Sequence, residues 1–166
     1  MTGSSTQAIK TVLLPVSDLA TAKAVSVAYW ICTALTAFFI ASGGLAYALA
    51  VPDVVEGVTQ LGFPLYFIRL LGVWKVLGGL VILAPGFARL KEWAYAGAFF
   101  NMSGAAVSHV VIGDEAWHAY YTASLAIITL VSWALRPESR TLGAPLVRTN
   151  RLAIGRTRLA GAHARA

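Results

Sequence analysis

The sequence predicts an all-α fold, a transmembrane up-down-up-down four-helix bundle, on three observations. Of its 166 residues 58% are hydrophobic and only 12% charged, where an ordinary soluble domain is about 45–50% apolar and about 25% charged. Four long apolar stretches follow one another, each close to the roughly 20 residues that cross the hydrocarbon core of a bilayer as a helix. Among the connections, lysine and arginine fall on alternate ones only. No window shows the period-two alternation of a membrane barrel. Backbone groups deprived of water must then be satisfied within helices.

Residues 1–23 read as a cytoplasmic N-terminal arm. The first span, 24–51, holds no ionisable group except Tyr29, Cys32 and Tyr47. Two small-residue triplets at its end, Ala46-Tyr47-Ala48 and Ala48-Leu49-Ala50, match a signal-peptidase site, but the apolar run far exceeds the about 7–15 residues of a signal-peptide core. The span is therefore expected to stay in the protein. Pro52 to Pro64 is a loop whose Gly62-Phe63-Pro64 step starts the second span, 65–84. Pro85 to Glu92 joins a turn signal to a charged helix start. The third span is 93–112, Gly113 to His118 connects it to the fourth, 119–135, and residues 136–166 form an Arg-rich tail expected to be cytoplasmic and disordered. Short connections make consecutive helices antiparallel. Residues 24–135 are thus one four-helix domain.

The net charge of +6 belongs to that tail. Residues 1–135 carry six basic and six acidic side chains, whereas the tail carries seven arginines against Glu138. Nucleic acid is therefore not an expected partner; the lipid bilayer is. With both termini and the second connection on one side, that side holds Lys10, Lys23, Arg89, Lys91 and the tail arginines, and the other side none. The positive-inside rule makes both termini cytoplasmic.

Inside the spans, polar residues carry the information. A lysine or arginine at the bilayer centre costs about 2.5–3.5 kcal/mol on insertion scales. Lys75 lies mid-span on a face with Ile68, Gly72 and Gly79, and such glycines admit another helix closely. The face is expected to meet Gly97, Asn101, Gly104, Ala105 and Ser108 of the third span, with Asn101 offering its carbonyl to Lys75. That site would either accept protons or contact an anion, or serve structure alone. Arg69, His109 and Tyr47 share the outer level, below Asp114, Glu115 and His118. This cluster suits a polar headgroup or a quinone carbonyl, since arginine and histidine donate to oxygen; a plain pair of Arg69 with Asp114 or Glu115 is the structural alternative. Two histidines around a loop acid fall short of the three or four convergent ligands a metal needs, so no metal is expected, and no motif supports haem. Cys32 has no partner for a disulfide. The aromatics Trp30, Trp93, Trp117, Tyr120, Tyr121 and Trp133 lie near span ends, as an interfacial belt does. No nucleotide-binding, metalloprotease or serine-hydrolase motif occurs.

The stretch Leu90-Lys91-Glu92-Trp93-Ala94-Tyr95-Ala96-Gly97 resembles the DoxX-like family of small four-helix membrane proteins. Ser42-Gly43-Gly44, Gly62-Phe63-Pro64-Leu65-Tyr66, the run from Gly72 to Gly79 and that from Ser108 to Asp114 also fit, so the resemblance covers about residues 26–137. Lys75, Lys91, Glu92, Trp93, Tyr95, His109 and Asp114 match residue by residue; Lys91, Glu92 and Asp114 then become candidate polar residues at the loop edges. The resemblance implies a bacterial inner-membrane protein associated with quinone-linked redox systems: a non-catalytic subunit or accessory factor rather than an enzyme on its own. It would work with a redox partner protein or a second copy of itself, and quinone is the candidate cofactor. The alternatives are a small transporter or assembly factor, or a membrane enzyme acting on a lipophilic molecule with Lys75 or His109 as acid or base.

Overall fold

The computed structural model describes residues 16–143, and these are helical almost throughout, with no strand among them. The helices are α1 (Val16–Ala48), α2 (Pro52–Gln60), α3 (Leu65–Leu83), α4 (Ala88–Val111) and α5 (Ala116–Ala134), followed by a 3-10 turn at Glu138–Arg140. The four long helices coincide with the expected spans, with shifted ends. The α1 helix starts at Val16, inside the expected arm, and α4 starts at Ala88, because the charged stretch Arg89-Leu90-Lys91-Glu92 forms its first turns. The expected first loop contains α2, which Pro52 at its first position pre-sets for a helix. No residue of α2 is buried.

Among the described residues two helices are long and apolar enough to cross a membrane by length and composition, α1 over Ala20–Ala48 and α3 over Leu65–Leu83. The long helices contact one another in a closed order, α1 with α3 and α5, and α4 with α3 and α5. Along α1 and α3 the partners run in opposite directions: Ala37 and Ala41 lie against Gly79, whereas Tyr47 and Ala48 lie against Gly72. The same holds for α4 and α5, where Glu92 meets Trp133 at one end and His109 meets His118 at the other.

The interior is built from modest side chains. Ala37, Ile40, Ile82, Tyr95, Ala98, Met102, Leu125 and Ala126 form the apolar core. Beside it Ser132 shares hydrogen bonds of 2.8 Å with both Thr33 and Tyr95, joining α1, α4 and α5. The large apolar side chains are instead outside: Phe38, Trp74, Trp93, Phe100, Val111 and Ile127 are all exposed.

Residues 136–143 lie against the helices rather than forming part of a free tail. Arg136 is 3% exposed and pairs with Glu92. The rest of the expected tail, and residues 1–15 of the arm, are outside the described residues.

Candidate functional site

The buried face of α3 is Ile68, Gly72, Lys75, Gly79 and Ile82, the face anticipated from the sequence. Its neighbour is α1. A Cβ on Gly72 would stand 2.7 Å from the Gly44 carbonyl oxygen and 2.8 Å from Tyr47 Cβ, and a Cβ on Gly44 would stand 2.7 Å from Lys75 Cβ. Real Cβ atoms do not come so close, so glycine is required on both sides for the two backbones to touch. That contact plants the Lys75 stem in the seam. From there Nζ extends over the Tyr47 ring, 4.1 Å from its centroid, and a Cβ on Gly43 would be 3.4 Å from it.

Lys75 is 8% exposed, and among the described residues no hydrogen-bond acceptor is paired with its ammonium. A cation–π contact contributes about 2 kcal/mol when desolvated, whereas the effective desolvation penalty of a buried ion is several kcal/mol. The ring alone leaves the ammonium short of partners.

The opening beside it is a cavity of about 510 Å³ between α3 and α4. Trp74, Leu77 and Val81 line one wall, Trp93, Gly97 and Ala98 the other, with Ile40 behind; Lys75 and Asn101 are the polar residues of this otherwise apolar lining. Its size falls in the roughly 300–1,000 Å³ of small-molecule sites, which share that pattern of apolar walls and few polar groups. The expectation that the Lys75 face packs on the Asn101 face is thus corrected. The two faces border one cavity, without a hydrogen bond between Lys75 and Asn101, and open space surrounds Gly97 and Gly104. The close packing went to α1, whose own small residues, Ala37, Ala41, Gly44 and Ala48, match the glycines of α3.

The outer cluster divides differently from expectation. Tyr47 belongs to Lys75. Arg69 is exposed, and the carboxylate expected to pair with it is held by histidines: His109 Nδ1 is 2.7 Å from Asp114 Oδ2, and His118 Nδ1 is 3.2 Å from the same oxygen. Gly113, with φ of +71°, turns the chain so that Asp114 folds back over the end of α4. The Glu115 backbone N–H donates to Asp114 Oδ1 at 2.7 Å. This bond, the His109 hydrogen bond and the two imidazoles' charge outweigh desolvation and hold the Asp114 carboxyl below the usual carboxylate range. His109, Asp114 and His118 each offer a ligand atom within 4.8 Å of the others.

At the opposite end, Lys91 and Glu92 are fully engaged. Lys91 is completely buried, and its Nζ donates to the carbonyls of Val81, Ile82 and Ala84. The last carbonyls of a helix have no intrahelical donors, and α3 has no basic residue in its own last turn. Arg140 completes this cap from far along the chain, donating to Ile82 O and Leu83 O at 3.1 Å each. Glu92 accepts from Trp133 Nε1 and Arg136 Nη2, both at 2.7 Å. Sequence reasoning missed Arg136 and Arg140 because both sit among the basic residues of the C-terminal segment. The uncapped end of α3 was the available signal.

The family model described as the DoxX-like family matches residues 31–133. No curated protein and no solved structure gives a match.

Proposed function

Because the chain belongs to the DoxX-like family, we propose that it is a transmembrane up-down-up-down bundle of α1, α3, α4 and α5 that binds a lipophilic molecule with a carbonyl-type acceptor, a quinone by preference, between α3 and α4. The bundle lies in a bacterial inner membrane with both termini cytoplasmic. It acts as a non-catalytic component beside a redox partner protein.

The exposed large apolar side chains on all four long helices support a lipid-facing exterior. Monomers in water rarely expose contiguous apolar patches larger than a few hundred Å². The meeting of Lys91, Arg136 and Arg140 at the end shared by the α3–α4 connection supports a cytoplasmic position for that end.

The single observation that carries the ligand reading is Lys75: a residue lining an apolar cavity whose ammonium, over one aromatic ring, has no acceptor among the described residues. A ligand carbonyl would supply the missing acceptor, and Asn101 a second polar contact. Two indoles, Trp74 and Trp93, flank the opening and suit a flat conjugated ring.

The test is native mass spectrometry and solvent extraction of protein purified from membranes in mild detergent. The wild type should retain a quinone near one per chain, and Lys75→Met should lose it while remaining folded. Equal retention by Lys75→Met, or no quinone with either, would overturn the reading.

A further inference from the structure

We propose that His109, Asp114 and His118 form a binding site for one divalent transition-metal ion of the zinc class, joining the end of α4 to the start of α5. The sequence offers two histidines and an acid of no metal-binding spacing. The fold makes them convergent. His109 closes α4, Asp114 returns over it through the Gly113 turn, and His118 stands in the first turn of α5.

Four features distinguish this arrangement from an ordinary carboxylate–imidazole pair. One carboxylate oxygen, Asp114 Oδ2, faces both imidazoles, at 2.7 Å from His109 Nδ1 and 3.2 Å from His118 Nδ1. The second of these nitrogens is buried yet makes no hydrogen bond among the described residues, so the pair with His109 does not account for it. The remaining oxygen, Oδ1, is already fixed by the Glu115 backbone N–H, the kind of outer support that orients a ligating carboxylate. His118 is held from behind by Trp117, ring centroids 4.4 Å apart, and its ring stacks on His109 at 5.3 Å.

Tetrahedral zinc with bonds of 2.0–2.1 Å places its ligand atoms roughly 3.3 Å apart. The His118–Asp114 separation is close to that value, the His109–Asp114 separation must open by some tenths of an ångström, and the widest separation in the set, up to 4.8 Å, must close as the two imidazoles turn onto the ion. Two imidazoles and one carboxylate form a borderline donor set suited to Zn²⁺ and unsuited to Mg²⁺ or Ca²⁺, which prefer oxygen. Three protein ligands leave a position for water or an external group, and the side chains are 21% to 37% exposed, so the ion has a path in.

The test uses tag-free, full-length protein in detergent, stripped with chelator and titrated with Zn²⁺ by calorimetry. Co²⁺ serves as the absorbance probe of tetrahedral coordination. One ion should bind per chain and raise the unfolding temperature, an increase reversed by chelator. His118→Ala and Asp114→Asn should each weaken binding by roughly tenfold or more. His163→Ala, which removes the histidine of the C-terminal segment, and Lys75→Met should bind zinc as the wild type does. Absence of saturable binding by the wild type would overturn the proposal, as would affinity within about threefold of wild type in both His118→Ala and Asp114→Asn. Loss of binding in His163→Ala would do the same. Helical circular dichroism of each variant establishes that the protein compared is folded.

Discussion

Two buried lysines, sixteen positions apart in the chain, are treated by the fold in opposite ways. Lys91 has no exposure at all and reaches three carbonyls at the end of α3, with Arg140 donating beside it. Lys75, nearly as buried, lines an apolar cavity and holds its ammonium over an aromatic ring. The first neutralises a defect that every helix end carries, namely carbonyls without donors. The second introduces an unmet demand where the helix has no defect to correct. A cation whose partners are all internal belongs to the architecture, and one left without an acceptor beside a cavity is where the proposed ligand would fit.

The largest expected effect follows directly. Lys91→Met leaves the carbonyls of Val81 and Ala84 without their donor, while Ile82 O keeps Arg140. At about 1–3 kcal/mol per buried group left unpaired, the loss should be roughly 2–6 kcal/mol, read as a large fall in unfolding temperature in detergent. Lys75→Met should move the other way. Removing an insertion cost of about 2.5–3.5 kcal/mol and a cation–π gain of about 2 kcal/mol leaves a net stabilisation of about 1 kcal/mol. If both variants lose stability equally, the distinction between the two lysines disappears.

The two small-residue faces sharpen the comparison. A side chain at Gly44 would collide with Lys75 Cβ and with the Gly72 carbonyl oxygen, whereas at Gly97 it would meet nothing within 4 Å. Gly44→Leu should therefore cost about 1–3 kcal/mol or more by forcing α1 from α3. Gly97→Leu should leave stability unchanged or slightly higher, since glycine costs a helix interior about 0.5–1 kcal/mol. It should nevertheless abolish retention of the lipophilic ligand by filling the cavity. Thermal unfolding and extraction of the same two preparations separate packing from binding.

These faces also explain how far the amino-acid sequence can be read. The long helices were legible from their apolar runs, α1 and α3 most plainly, and the inward face of α3 because Gly72, Lys75 and Gly79 recur at helical spacing. Which helix that face meets was not. A helix that is apolar all round has no amphipathic stripe to fix its rotation, and small residues line α1 and α4 alike. The order was decided by backbone contact at Gly44 and Gly72. Lys75 and Asn101 were both singled out, and they line one cavity without a bond between them. His109 and Asp114 were recognised without the turn that brings His118 to them. Arg136 and Arg140 were hidden for a different reason: a basic segment offers no local pattern to tell an arginine that caps a helix from one that faces water.

The smallest effect expected tests the saturated end by pH. Burial alone would raise the Glu92 carboxyl, but the hydrogen bonds from Trp133 and Arg136, the Arg136 charge and the Leu142 backbone N–H outweigh it and hold the group below the usual carboxylate range. A carboxyl depressed in the folded state stabilises above its unfolded pKa, and that contribution is lost as pH falls through the folded value. The unfolding temperature should stay level from neutrality to the ordinary glutamate range, about 4.3, and decline below it. Glu92 is a third exposed, so solvent screening keeps its contribution well under that of Lys91. Glu92→Gln should lower stability at neutral pH and flatten the acid decline, with the residual slope due to Asp114, whose carboxyl is depressed as well. An acid decline as steep in Glu92→Gln as in the wild type would mean that the Arg136 pair contributes nothing to holding α4 against the end of α5. The contrast between a saturated end and an open middle would then rest on Lys91 alone.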